Sequence, residues 1–102
     1  MTLLPTDEVD RALAEGSAWR REGAELVRER RGRDFVDSMS FVTAVALLAQ
    51  RADHHPDIDI RWNVVTLRLS THSAGGLTDK DLSLSRAIDA LDDPGIRDSA
   101  DR

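Results

Sequence analysis

Cysteine is absent from the 102 residues. That excludes disulfides, thiolate metal sites and cysteine nucleophiles, and it suits a reducing compartment. No apolar run approaches the roughly 20 residues that cross a membrane. The opening MTLLPTDEVD has no basic segment ahead of an apolar stretch and no cleavage-like site, so it does not read as a signal peptide, and the cytoplasm is the expected location. Positive charge is also short: the formal net charge of −5 argues against a nucleic-acid surface, which needs clustered cations to displace counterions. Repeats and linkers are missing before the tail. One domain is therefore expected over 1–102, with a polar, frayed tail from about 93. A chain this short buries a modest core, and a subunit interface is expected to supply part of its stability.

What is present begins with one local exception to the acidic balance. Arg28, Arg30, Arg31 and Arg33 cluster in VRERRGRD, interleaved with Glu29 and Asp34. They read as a solvated edge strand and turn, with a phosphate or partner contact as the alternative. Before them, Thr6 with Asp7 and Glu8 reads as the N-cap and acidic first turn of a short helix to about Ala14, ended by Gly16. Ala18 to Val27, divided by Gly23, reads as a two-stranded hairpin.

Asp34 to Asp53 is the clearest element. Phe35, Met39, Val42, Ala46 and Ala49 follow helical spacing, and Phe41, Val45, Leu48 and Ala52 form a second stripe beside them. A helix this apolar is expected to be buried on more than one side, one meeting a sheet and another a second subunit. His54-His55-Pro56 stops it, because proline disfavours helical geometry in the preceding residue. Ile58, Ile60 and Trp62, then Val65, Leu67 and Leu69, alternate with polar residues as half-buried strands do, with Asn63-Val64 at the turn. Ser70 to Gly76 reads as a loop. Thr78 and Asp81 make a capping-box pair opening a last helix to about Leu91, with Leu82, Ala87, Ile88 and Leu91 as its stripe. The order α-β-β-α-β-β-α with short turns predicts an α+β fold: a four-stranded antiparallel sheet with three helices on one face.

The histidines are the residues suited to chemistry, since imidazole titrates near neutrality. His54 and His55 lie where the long helix breaks, and His72 lies where the last strand ends. If the helix crosses the sheet, both points can share one end of the domain. Read singly, a histidine in a short acidic protein is more often an exposed or capping residue than a catalyst. A metal site is not expected, because there is neither an i, i+4 histidine pair nor an HxH on a strand. A serine triad built on Ser70 or Ser73 lacks a nucleophile elbow. Asp81 is read first as a cap residue, and Trp19 and Trp62 as core aromatics.

The set His54-His55-Pro56, Trp62, Thr71-His72, Gly76-Leu77-Thr78 and Asp81 resembles the signature of the pterin-4a-carbinolamine dehydratase family. Trp19, the Arg33-Asp34-Phe35 stretch and Leu69 to His72 extend the similarity from about Trp19 to Leu91. One position departs: relatives often carry an ionisable residue four places before the paired histidines, and here Gln50 stands there. Glutamine can hydrogen-bond the substrate or orient His54 but cannot exchange a proton.

The resemblance implies a lyase that removes water from a 4a-hydroxytetrahydropterin, giving a quinonoid dihydropterin, with no metal or organic cofactor. It implies His54, His55 and His72 as the acid/base groups, and Asp53, Ser70, Thr71, Ser73 and Trp19 as substrate contacts. Asp81, Gln50 and Pro56 would support them, Asp81 by orienting His72 or capping the helix. The implied partners are the pterin and further copies of the chain, as a homodimer or homotetramer, with no membrane and no nucleic acid. The alternative is a non-catalytic interaction or dimerisation module of the same fold.

Overall fold

The computed structural model describes residues 2–13 and 16–92, so Ala14 and the expected tail from 93 lie outside the described residues. The elements are α1 (Thr6–Ala12), β1 (Arg20–Glu22), β2 (Glu25–Arg31), α2 (Phe35–Ala52), β3 (Asp57–Arg61), β4 (Val64–Leu69), a 3-10 turn (His72–Ala74) and α3 (Asp79–Ala90). The expected order holds. All three strand pairings are antiparallel, in the order β1-β2-β4-β3.

Period-two alternation decides which side of the sheet is covered. Val65, Leu67 and Leu69 of β4 stand opposite Arg30, Arg28 and Leu26 of β2, so these six share one face. Leu26 and the three β4 residues are fully buried there with Phe41, Val45 and Ala49 of α2, Leu82, Leu84 and Ile88 of α3, and Val9 of α1. The other face is charged. Arg20 pairs with Glu22 and Glu29, and Arg68 with Glu22 and Glu25, around the buried Val27 that lies in register with both arginines.

Local chemistry sets the helix ends. The Asp34 side chain accepts from the Asp37 N–H at the start of α2. At its other end Asp53 takes the left-handed conformation at φ 50°, its N–H donating to the Gln50 carbonyl while the His54 N–H donates to that of Ala49. This is a Schellman closure with Asp in the place glycine usually fills. Thr78 and Asp81 complete the capping box of α3.

Three sequence expectations are corrected. The N-cap of α1 is Pro5, with Thr6 already helical and no side-chain cap. β2 runs on to Arg31 and is an inner strand, not a solvated edge: Arg28 is buried and pairs with Asp89 and Asp92, while Arg30 pairs with Asp92 and Asp37 and lies 4.4 Å from the centre of the Phe41 ring. Sequence alternation put these arginines on the helix side, but only the fold brings acids from α2 and the end of α3 to meet them. The β3–β4 turn is Trp62-Asn63, one residue early, with Trp62 at φ 51° and 68% exposed instead of in the core. Asn63 earns that register by donating from its amide to the Gly32 carbonyl. Within the single chain α2 buries one side, and Phe35, Val36, Met39 and Leu47 stay exposed on the side expected to meet a second subunit.

Candidate active site

Antiparallel pairing of β3 and β4 puts the start of one beside the end of the other: Asp57 stands opposite Arg68, one residue before Leu69. The segment leaving α2 and the segment leaving β4 therefore meet at one end of the sheet. They line a polar cleft of about 320 Å³ with Asp53, His54, His55, Asp57, Ser70, Thr71, His72, Ser73 and Lys80. All three histidines and four of the five expected substrate contacts border it.

The histidines sit in different surroundings. His54 is buried, and its Nε2 lies 2.6 Å from Asp81 Oδ1. The other carboxylate oxygen of Asp81, itself fully buried, accepts from Thr71 Oγ1 and from the Thr78 N–H. Since the single Thr71 proton goes to Asp81, the 2.8 Å contact between Thr71 Oγ1 and Thr78 Oγ1 makes Thr78 the donor there. A carboxylate only accepts, so His54 Nε2 carries a proton and Nδ1 is the nitrogen left for the cleft. Asp81 thus caps α3 and orients His54, whereas His72 was the histidine expected from the sequence.

His55 is exposed, with Nε2 at 3.1 Å from Gln50 Oε1. Gln50 serves the second histidine of the pair, not His54. His72 is exposed on the 3-10 turn and makes no side-chain hydrogen bond among the described residues. The turn is held by a Thr71–Gly76 bridge and closed by Gly75 at φ 79°, a conformation that favours glycine. Pro56 is half-buried between the pair and β3.

Trp19 does not reach the cleft. It is buried beside β1, its indole N–H donating to Asp89 Oδ1 at 2.8 Å, in the group that holds Arg28. Two cleft residues, Asp57 and Lys80, were not foreseen. Asp57 follows the His-His-Pro run directly and could have been found from that. Lys80 belongs to the first turn of α3, and only the packing of α3 beside α2 brings it to the histidines. Among the described residues no group of three or more His, Asp or Glu side chains could hold a metal ion.

The profile of the family described as pterin 4 alpha carbinolamine dehydratase matches residues 2–91. The chain belongs to that family. A protein of Mycobacteroides abscessus provisionally named pterin-4-alpha-carbinolamine dehydratase is 51% identical over 89 residues, covering 87% of this chain and 95% of its own. One of Chloroflexus aurantiacus with the same provisional name is 50% identical over 91 residues, covering 89% and 98%. Among solved structures, a transcriptional coactivator/pterin dehydratase from Brucella melitensis superposes with a TM-score of 0.82 at 29% identity, covering 88% of this chain and 98% of that one. A pterin dehydratase-like protein described as a RuBisCO assembly factor in the alpha-carboxysome shares the fold, with a TM-score of 0.63 at 22% identity over 74% of this chain and 90% of that one. No helix among the described residues is long and apolar enough to cross a membrane.

Proposed function

We propose that this dehydratase-family chain converts a 4a-hydroxytetrahydropterin into a quinonoid dihydropterin and water in the cytoplasm, using His54, His55 and His72 as its acid/base groups. The observation that carries the reading is the meeting of these histidines with Asp53, Ser70, Thr71 and Ser73 around one polar cleft. Hydroxide is a poor leaving group, so an acid must protonate the C4a hydroxyl as its bond to carbon breaks. A base must take the proton from a ring nitrogen as the new double bond forms. His54, its Nε2–H held by Asp81, presents Nδ1 as the base; His72, with no side-chain partner among the described residues, is the acid; His55 is the second ring contact. Asp53 and the Ser70–Ser73 segment hold the flat ring, partly through backbone groups, and Pro56 fixes the direction in which the pair leaves α2.

The test is to generate the carbinolamine and follow its dehydration by ultraviolet absorbance. His54→Ala and His72→Ala should each lose about 10²–10⁴-fold in rate while keeping the wild-type circular dichroism spectrum. Wild-type turnover in both would refute the assignment.

A second reading, a protein-interaction module of this fold, is favoured by the outer side of α2, where Phe35, Val36 and Leu47 are 50%, 71% and 66% exposed. Exposed apolar patches of this kind mark contact surfaces. The same side supports self-association as a homodimer or homotetramer, and the two roles are compatible. Leu47→Glu should lower the mass seen by light scattering without changing the fold, and a chain that is only an interaction module would give no dehydration at all.

A further inference from the structure

Lys80 is the only lysine of the chain; the other thirteen cationic side chains are arginines, since Lys and Arg total 14. Every ion pair of the described residues is made by an arginine or by His54, and none by Lys80. It is exposed, its side chain makes no hydrogen bond among the described residues, and its backbone N–H donates to Thr78 Oγ1 in the helix cap. Its place is unusual. Lys80 and His54 are the two residues that line both the polar cleft and a second, largely apolar cavity of about 490 Å³ between α2 and α3. The walls of that cavity include Leu48, Ala52, Leu84 and Ala87. The carboxylates that line the same two hollows are Asp53 and Asp57 in the cleft and Asp79 in the cavity, and none of them forms an ion pair with it. A lysine has a flexible four-carbon stem that can lie on an apolar wall while its ammonium head serves a polar neighbour.

We propose that Lys80 is a substrate-binding residue of this site, its stem lying along the apolar wall and its ammonium donating to the ring carbonyl oxygen of the bound bicycle. The inference rests on the pterin reading above and adds a contact to it. The carbonyl carbon is bonded directly to C4a, so its oxygen lies beside the reacting centre that His54 serves. Lys80 shares the lining of both hollows with His54. Carbonyl oxygens bind ammonium groups through charge-assisted hydrogen bonds, and an ammonium without a carboxylate partner is free to make one.

Because the chain has a single lysine, reductive methylation with isotopically enriched formaldehyde marks one side chain besides the amino terminus. On titration with a dihydropterin lacking the 4a-hydroxyl, the dimethyl-Lys80 signal should move together with the ring signals of His54 and His72. In steady state, Lys80→Met should raise KM by about tenfold, the size of one lost hydrogen bond to a charged group, with kcat within about twofold of wild type. Lys80→Arg should recover most of the loss. If the histidine signals move while the Lys80 signal does not, or if Lys80→Met keeps the wild-type KM, the proposal is wrong although the site reading stands. If no signal moves and no dehydration is seen, the reading and the proposal fall together.

Discussion

The two ends of the sheet use similar residue types to opposite effect. Toward the β3–β4 turn, Arg28 and Arg30 are tied to Asp37, Asp89 and Asp92, and Trp19 also donates to Asp89. At the other end the charged and titratable groups of the cleft are only partly matched: His54 has Asp81 on one nitrogen, His55 has Gln50 on one, and His72 and Lys80 have no side-chain partner among the described residues. Helices α2 and α3 run antiparallel between the two ends, so each contributes a charge-pairing terminus to one and a histidine-positioning terminus to the other. Burial of charge alone therefore does not mark chemistry. The cleft differs in access: its rings and its lysine border an open hollow, whereas the unpartnered donors of the paired end, Arg28 Nε and an Arg30 terminal nitrogen, are buried.

The comparison breaks if the paired end affects turnover or the open end governs stability. The largest effect is expected from Arg28→Met. Removing one member of a buried pair leaves its acids uncompensated, and because Asp89 and Asp92 keep partial access to solvent the loss should stay near the low end, about 3 kcal/mol. Denaturant unfolding measures that loss, and kcat/KM of the folded fraction should stay at the wild-type value. A fall in kcat/KM would join the two ends functionally.

Next comes Asp81→Asn, which keeps a hydrogen-bonding group in the α3 cap but no longer fixes His54 as the Nε2–H tautomer. Turnover should fall by at least about tenfold through loss of the correct ring tautomer, with a smaller drop in melting temperature than in Arg28→Met. Equal turnover in wild type and variant would remove Asp81 from the site.

Smallest is a pH effect at the paired end. The Arg33 backbone N–H, with Arg30 and Arg33 nearby, holds the Asp37 carboxyl below its ordinary value. A depressed folded-state pKa contributes stability that is present above the unfolded value of about 3.9 and is lost as pH falls through the folded one. Wild type and Asp37→Asn should therefore melt alike in strong acid and diverge above about pH 4. Parallel melting curves across that range would show that Asp37 contributes no linkage.

Much of the fold was legible because its signals are local. The apolar spacing of α2, the alternation of β4, the Thr78–Asp81 box and the proline after the histidine pair each act within a few residues. Trp62 misled because a large aromatic at the end of an alternating run reads as core, whereas the Asn63–Gly32 pairing moved the turn one residue earlier. The arginines of β2 misled for a related reason: their partners at the end of α3, Asp89 and Asp92, lie 61 to 64 residues away. In the cleft, the three histidines were identified as a set, but Gln50 and Asp81 were matched with the wrong rings and Lys80 was overlooked.

The amino-acid order alone settled which elements form, in what order, and where α2 stops and α3 starts, because hydrophobic period, caps and breakers are short-range properties of the backbone. It also supplied the histidines and, by leaving out cysteine, the chemistries that are closed to this chain. Which side chain faces which was decided only by tertiary structure. Register, helix crossing and the left-handed step at Asp53 set directions in space, and a nitrogen's partner depends on those directions and not on distance along the chain.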